Sequence, residues 1–281
     1  MRVLVTGGSG YLGTHLRRFF GADDYSRRSG RDILDPEQAK LAADYDMVIH
    51  MAAHLSKTRE DEDYTYRTNV EGTVNLLKNI RQDASFIFVS TKDVYGRFAD
   101  NYSQVNEECP TLYSGQTPLE WSKLIAERYV EYYAHSRHFR SCIFRLSTPY
   151  ARPTLNNVPN IVGYLADAIN NGEAISLPAK GLPRRDILHV DDLCAACEAF
   201  SDSVIRHGLY NLGGGIRNTL TLSELIRKLE EVSGLEAVID DTIELPAPIP
   251  MNYVSDISRV DQELGWSPRM SLDDGLKTLF T

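Results

Sequence analysis

Short apolar segments alternate with longer amphipathic segments along the first half of the chain. The apolar segments cover residues 2–6, 46–53, 85–90 and 141–147. Helical patterns follow the first three of them, at 11–20, 68–81 and 119–135. Strands that are apolar throughout are typical of a parallel sheet covered by helices on both faces. The alternation therefore predicts an α/β fold built on a Rossmann-type, doubly wound parallel sheet.

The turn after the first apolar segment is rich in glycine and reads Gly7-Gly8-Ser9-Gly10-Tyr11-Leu12-Gly13. In this pattern Gly7 permits a tight turn, Gly10 lets backbone amides approach a pyrophosphate, and Gly13 lets helix and strand pack closely. The helix N-terminus then faces the anion. A strand–turn–helix of this composition at the start of a βαβ series predicts a dinucleotide site.

The residue composition and the length of the patterned segments change after about residue 152. Pro, Asn and Gly separate shorter segments, and helical patterns recur at 159–172 and 221–234. Because no linker separates the two parts, we expect a smaller C-terminal α/β substrate lobe packed on the first domain. The predicted dinucleotide-binding domain covers residues 1–152 with a returning segment at about 184–212. The predicted substrate lobe covers about 153–183 and 213–281.

Composition excludes several classes of protein. The formal net charge is −9, which disfavours nucleic-acid binding, and no apolar run reaches the ~18 residues of a membrane span. The first ten residues are too short for a signal peptide. Cys194 and Cys197 form a C-x-x-C on one apolar helix face, without the second cysteine pair of a zinc site. We therefore expect buried, inert thiols, no metal, and a cytoplasmic location.

Seven motifs occur in the order found in a known family. They are TGGSGYLG (6–13), HMAA (50–53), NVEGT (69–73), VSTKDVYG (89–96), SKLIAE (122–127), RRDILHVDD (184–192) and ELGWSP (263–268). The chain thereby resembles the extended short-chain dehydrogenase/reductase family, the NAD(P)-dependent epimerases and dehydratases of nucleotide sugars. The resemblance implies a nicotinamide cofactor, a sugar-nucleotide substrate, and a homodimer formed through helices 68–81 and 119–135. Tyr132 and Tyr133 would serve either that interface or the core.

The end of the second strand distinguishes the two nicotinamide cofactors. If the strand ends at Tyr25 or Ser26, then Ser26, Arg27 and Arg28 meet the 2′-phosphate of NADP. If it ends at Asp24, a carboxylate meets the ribose of NAD. We favour NADP over NAD. The resemblance adds further cofactor contacts at Tyr11, Leu12, Asp32, Ile33, Met51, Ala52, Ala53, Asn69 and Lys123.

The catalytic motif departs from the family pattern. The family places a Tyr four residues before its Lys, and Lys123 matches that Lys, but Leu119 stands where the Tyr belongs. Leucine cannot carry a proton. Tyr113 lies ten residues before Lys123 and would have to reach the site from a loop. We expect Lys123 to keep a role in binding the nicotinamide ribose.

The other half of the catalytic site is polar. The resemblance places Thr91 at the family's Ser/Thr position, and Lys92 and Asp93 stand where sugar dehydratases carry an acid and a base. We expect these three residues and Lys123 to be catalytic, unless Lys92 and Asp93 form a solvated ion pair. Arg152, Arg184 and Arg185 are candidates, with Thr91, for binding substrate. Arg185 also fits a supporting role.

Three functions remain open at this stage. The first is an epimerase or dehydratase of nucleotide sugars. The second is an NADPH-dependent sugar-nucleotide reductase. The third is a cofactor-binding protein without turnover, which the absence of the Tyr would suit. The segment Pro246–Met251 lacks the Arg with which the family holds its nucleotide diphosphate, and Arg152 would have to compensate.

Overall fold

Six parallel strands form the central sheet of the protein. We describe a computed structural model that covers residues 1–153, 160–245 and 249–280. The strands, in spatial order, are β2 (Asp23–Tyr25), β1 (Val3–Thr6), β3 (Met47–His50), β4 (Ser85–Thr91), β5 (Arg140–Leu146) and β9 (His207–Leu212). The order reverses direction between β1 and β3, which is the switch point of a doubly wound sheet. The predicted α/β fold with a parallel sheet is confirmed.

Helices cover both faces of this sheet and form a separate core on each. The covering helices are α1 (Gly13–Phe20), α2 (Pro36–Ala39), α3 (Glu62–Tyr66), α4 (Gly72–Leu77), α5 (Pro118–Arg137) and α7 (Val190–Asp202). One core packs α1 and α7 on the sheet, and the other packs α4 and α5 on it. Cys194 and Cys197 are fully buried in the first core, as predicted, and burial raises the pKa of Cys194 to about 12.

A smaller layered unit contains most of the remaining elements. Strand β8 (Arg184–His189) pairs with β6 (Thr148–Tyr150), β10 (Thr219–Thr221) and β12 (Asn252–Tyr253), while β7 (Ala174–Pro178) pairs with β11 (Val238–Ile243). Its helices are α6 (Ile161–Asn171), α8 (Leu222–Ser233) and α10 (Leu272–Lys277), whereas α9 (Ser258–Leu264) packs against α7 and β9 in a core of the large sheet. β9 joins the large sheet and β8 the small one, and the predicted division into two functional lobes stays a prediction.

Two helix boundaries differ from the sequence pattern. The helix predicted at 68–81 begins at Glu62 and continues through a π-helical turn, Arg67–Glu71, into α4. Such turns are frequent at functional sites, and this one contains Asn69. The helix predicted at 119–135 extends to Pro118–Arg137, because Thr117 and Glu120 cap its first turn. Within the described residues, no helix combines the length and apolar character needed to cross a membrane.

Candidate cofactor and active site

A cleft of about 750 Å³ opens at the carboxyl ends of β1, β2 and β3. This is the switch point at which open α/β sheets bind ligands. Thirteen of the fifteen predicted cofactor residues line it together: Gly7, Gly10, Tyr11, Leu12, Gly13, Ser26, Arg27, Arg28, Asp32, Ile33, Met51, Ala52 and Ala53. Sequence reasoning missed other lining residues, among them Ser9, Tyr25, Arg31, His54, Tyr64, Thr68 and Asn160.

The glycine turn has the geometry that a dinucleotide phosphate needs. Gly7 has a φ of +68°, and its amide donates to the Tyr25 carbonyl at 2.9 Å. A Cβ on Gly13 would lie 2.2 Å from the Gly7 carbonyl oxygen. The turn therefore packs directly against the start of α1, and only glycine leaves room there. The residues present fit a dinucleotide.

Tyr11 connects this turn to the small unit. Its hydroxyl donates to the Ala151 carbonyl at 2.5 Å and accepts from the Ala151 amide at 2.9 Å. The ring itself lines the cleft. One phenol therefore joins the cofactor cleft to the segment that follows β6. Burial raises the pKa of Tyr11 to about 12, so the hydroxyl stays protonated and keeps both bonds.

The second strand ends at Tyr25, and Ser26 caps a short 3₁₀ turn, Arg27–Ser29. The Ser26 hydroxyl donates to Asp24 at 2.9 Å. Arg27 donates to the Tyr64 hydroxyl at 2.8 Å, and Arg28 donates to the Ser9 carbonyl in the glycine turn at 3.2 Å. Both guanidinium groups therefore lie beside the cleft.

Two polar atoms in the cleft lack partners among the described residues. They are the Thr68 hydroxyl and the Asn160 side-chain amide nitrogen, and both are buried. Buried polar groups without a partner are rare in native proteins unless a ligand or water satisfies them. Asn160 also caps α6, with its Oδ1 accepting from the Gly163 amide. Both atoms are suited to hydrogen bonding a polar ligand.

Lys123 is buried between α5 and β4. Its Nζ donates to the Val89 carbonyl at 2.8 Å and lies 4.6 Å from the centre of the Phe88 ring. Burial lowers the pKa of Lys123 to about 8, against the opposing effect of Glu127. Leu119, also buried, precedes it by one turn of α5.

Asn69 is the other predicted cofactor residue that does not line the cleft. Its side-chain amide is hydrogen bonded at both ends. Its Oδ1 accepts from the His54 amide at 2.7 Å, and its Nδ2 donates to the Ser122 hydroxyl at 2.8 Å. It therefore ties the loop after β3 to α5, beside Lys123.

A buried ion pair supports the same helix. Glu127 follows Lys123 by one turn, and its carboxylate accepts from Arg145 on β5 at 2.7 Å and from the Ser90 hydroxyl at 2.5 Å. Arg145 also donates to the Tyr95 hydroxyl at 2.9 Å. Burial alone would lower the pKa of Arg145, but Glu127 raises it above its ordinary value.

The end of β4 carries a charged cluster. Lys92 is buried, and its Nζ contacts Asp93 Oδ1 while lying 5.1 Å from the centre of the Tyr253 ring. The Thr91 hydroxyl accepts from the Asp93 amide at 3.2 Å. Burial opposes ionisation of Asp93, but Lys92 and Lys57 lower the pKa of the carboxyl below its ordinary value. Lys92 and Asp93 are thus an oriented pair rather than two solvated charges.

Two members of this cluster were missed by sequence reasoning. Lys57 Nζ lies 3.8 Å from Asp93 Oδ2 and 2.9 Å from Glu120 Oε1. Lys57 belongs to an irregular loop after β3, where no periodicity marks it. Glu120 had one signal, because Thr117 and Glu120 have the spacing of a capping box.

The three arginines that are predicted to bind substrate differ in burial. Arg185 is buried, and its guanidinium donates to the backbone carbonyls of Arg184, Pro250 and Met251 at 2.6 to 3.0 Å. This geometry suits the supporting role. Arg184 and Arg152 are exposed. Residues 246–248 of the segment that lacks an Arg fall outside the described residues.

Tyr113 lies at the protein surface. Its ring is exposed and stacks on Trp121 with the ring centres 6.2 Å apart. No group of three or more His, Cys, Asp or Glu side chains among the described residues is arranged to hold a metal ion.

A sequence model of the NAD dependent epimerase/dehydratase family matches residues 3–213. The chain belongs to this family. CDP-paratose 2-epimerase from Salmonella typhi is 26% identical, with 100% of this chain and 98% of the relative covered. dTDP-glucose 4,6-dehydratase from Streptomyces griseus is 30% identical, with 87% of this chain and 74% of the relative covered.

The fold of this epimerase/dehydratase family member also matches solved structures. UDP-glucuronic acid 4-epimerase from Bacillus cereus, in complex with UDP-glucuronic acid and NAD, superimposes with a TM-score of 0.84. The match covers 100% of this chain and 98% of the other at 24% identity. The architecture is therefore shared along the whole chain, including residues 214–281, which lie beyond the family match.

Proposed function

We propose that this family member is an NAD(P)-dependent epimerase or dehydratase that acts on a nucleotide-activated sugar. The observation that carries the proposal is the oriented Lys92–Asp93 pair at the end of β4. This end of the sheet faces the ligand crevice in doubly wound folds. The two relatives described above have nucleotide sugars as their named substrates, and the Asn160 and Thr68 polar atoms suit such a ligand.

The glycine turn would hold the cofactor diphosphate, and Asp32 and Ile33 would hold its adenine end. A bound nicotinamide supplies reversible hydride transfer to and from the sugar. Lys123 lies on α5, and by the family pattern it would hold the nicotinamide ribose. With a pKa of about 8, Lys123 stays mostly cationic at neutral pH and favours negative charge on a reacting oxygen.

In the dehydratase form of the reaction, one group removes a proton from carbon and another protonates a departing hydroxyl, which leaves as water. Lys92 and Asp93 are titratable, touch each other, and supply one proton donor and one acceptor. Opposite charges in direct contact stabilise each other's charged form. We assign the base and the acid to this pair, with Thr91 hydrogen bonding the substrate.

We further propose that Leu119 replaces the family's catalytic Tyr. The support is its position one turn before Lys123 on α5. If Leu119 alone limits oxidation, Leu119→Tyr places a phenol beside Lys123 and gains hydride transfer, measured as absorbance of reduced nicotinamide. The absence of any gain would show that the pocket differs elsewhere.

Two further proposals concern the choice of cofactor and the assembly of the protein. We favour NADP, because β2 ends at Tyr25 and places Ser26, Arg27 and Arg28 beside the cleft.

We also propose a homodimer through α3–α4 and α5, where Tyr132 is 62% exposed. Tyr133 instead packs against the core. The cytoplasmic location stays a prediction.

The decisive experiment is incubation of the protein with NAD or NADP and a panel of nucleotide sugars in deuterium oxide. We expect deuterium to enter the carbon next to the oxidised centre, detected by mass spectrometry and NMR of the product. If cofactor binds but neither exchange nor turnover occurs with any sugar nucleotide, the protein is a binder without turnover and the proposal is wrong.

A further inference from the structure

Lys57 joins two carboxylates that belong to different elements of the fold. It lies in the irregular loop between β3 and α3, and its Nζ is 2.9 Å from Glu120 Oε1 on α5. The same Nζ is 3.8 Å from Asp93 Oδ2, just beyond the end of β4. The Lys57 side chain is 41% exposed, whereas that of Glu120 is fully buried. The ammonium group therefore enters the cluster from its solvent side.

Glu120 is a rigid anchor for this ammonium group. Its other carboxylate oxygen accepts from the Thr117 amide at 2.7 Å and from the Thr117 hydroxyl. These bonds form the capping box of α5, so they fix the Glu120 side chain to the start of the helix. Because Thr117 fixes the Glu120 carboxylate, the ion pair with Glu120 fixes the Lys57 ammonium group as well. The positive charge of Lys57 therefore stays beside Asp93.

Asp93 consequently has an ammonium group on each oxygen. Lys92 contacts Oδ1 and Lys57 faces Oδ2. The other charged or titratable groups that act on Asp93 are Arg185 on β8 and Tyr253 on β12, with Glu120 behind Lys57. Lys57 is the cation that pairs with Oδ2, at 3.8 Å.

We propose that Lys57 is a positioning residue that orients the Asp93 carboxylate and holds it ionised for proton transfer. The inference rests on the proposed function only for the role of Asp93 in turnover. Lys57 acts through Asp93, because it bridges Asp93 to the fixed carboxylate of Glu120. Its own positive charge is secured by the same two partners, since Asp93 and Glu120 raise the pKa of Lys57 against the effect of burial.

The test compares Lys57→Met, Lys57→Arg and a matched control, Lys228→Met. Lys228 forms an ion pair with Asp273 at 2.6 Å, between α8 and α10. The first measurement is the pKa of the Asp93 carboxyl by carbon-13 NMR, which needs no substrate. Lys57→Met removes a cation from Oδ2, so the pKa of Asp93 should rise. It should return toward the wild-type value in Lys57→Arg and stay unchanged in Lys228→Met.

The second measurement is turnover. In Lys57→Met we expect kcat to fall by up to roughly 10²-fold, the effect of a misplaced catalytic group, with KM little changed. The acid limb of the kcat profile should move to higher pH, and Lys57→Arg should restore both. An unchanged Asp93 pKa in Lys57→Met, or no rescue by Lys57→Arg, overturns the proposal. If the wild-type protein has no turnover while the NMR shift occurs, the positioning contact stands and the proposed function fails.

Discussion

The cofactor cleft and the charged cluster at the end of β4 are built in different ways. The cleft comes mainly from three short runs of the chain, at 7–13, 25–33 and 51–55, and in the first of them a Cβ at Gly13 would meet the Gly7 carbonyl. The cluster is assembled from side chains on separate elements, with Lys57, Asp93 and Glu120 supplied by a loop, a strand end and a helix. Backbone shape is set locally, whereas paired charges depend on tertiary packing. Substitutions should therefore affect the two regions differently.

Lys92→Met and Asp93→Asn should give the largest difference between an effect on turnover and an effect on cofactor affinity. If the pair supplies the base and the acid, each variant should lower turnover by roughly 10²–10⁴-fold, the range of general acid–base residues. Cofactor affinity should barely change, because the cleft does not depend on these side chains. Steady-state kinetics and cofactor titration measure the two quantities. A parallel loss of cofactor affinity would break the distinction between the regions.

Stability should depend strongly on the ion pair beneath the cluster. Arg145→Met leaves Glu127 charged and buried, so the free energy of unfolding should fall by about 3–5 kcal/mol. Adding Glu127→Gln removes that isolated charge and should recover much of the loss. Arg67→Met breaks the exposed pair with Glu71 at 3.5 Å and should cost less than about 1 kcal/mol. Urea denaturation compares them, and equal costs for the two arginines would contradict the argument.

At the cleft, the expected change is one of selectivity. Replacing Arg27 and Arg28 by Ala should lower the affinity for NADP relative to NAD by about tenfold or more, because charged hydrogen bonds to the 2′-phosphate are lost. Arg67→Ala is the control, since Arg67 pairs with Glu71 on a helix surface. Calorimetric titration with both cofactors measures the ratio. Equal affinities in the unmodified protein would remove the assignment of NADP.

The smallest expected effect is the contribution of Lys123 to the pH dependence of the free energy of unfolding. The pKa of Lys123 is lowered to about 8 by burial, so between pH 8 and 10 the unfolded chain binds a proton that the folded protein has released. Stability attributable to Lys123 should therefore rise with pH across this window, by at most about 1.4 kcal/mol per pH unit. Lys123→Met should remove that rise. Denaturation curves at several pH values test this, and parallel wild-type and variant profiles would refute it.

The sequence predicts the cleft better than the cluster for physical reasons. A run such as VLVT followed by glycine determines a strand and a turn through local geometry, so Gly7, Gly10 and Gly13 fall where the pattern places them. Lys57 carries no such pattern, and its partners are 36 and 63 positions away along the chain. Arg145 does carry a signal in the sequence, since it is the one charged residue of the apolar segment 141–147. The charge of Arg185 predicts substrate binding, yet its bonds go to backbone carbonyls.

The double hydrogen bond between Tyr11 and Ala151 has a consequence for exchange of a single amide hydrogen. The Tyr11 hydroxyl holds both backbone groups of Ala151, so that amide exchanges with solvent only when the phenol releases it. Release breaks the contact between the glycine turn and the segment after β6. The protection of one amide therefore reports how often this contact opens, and it does so without any ligand or catalytic assay.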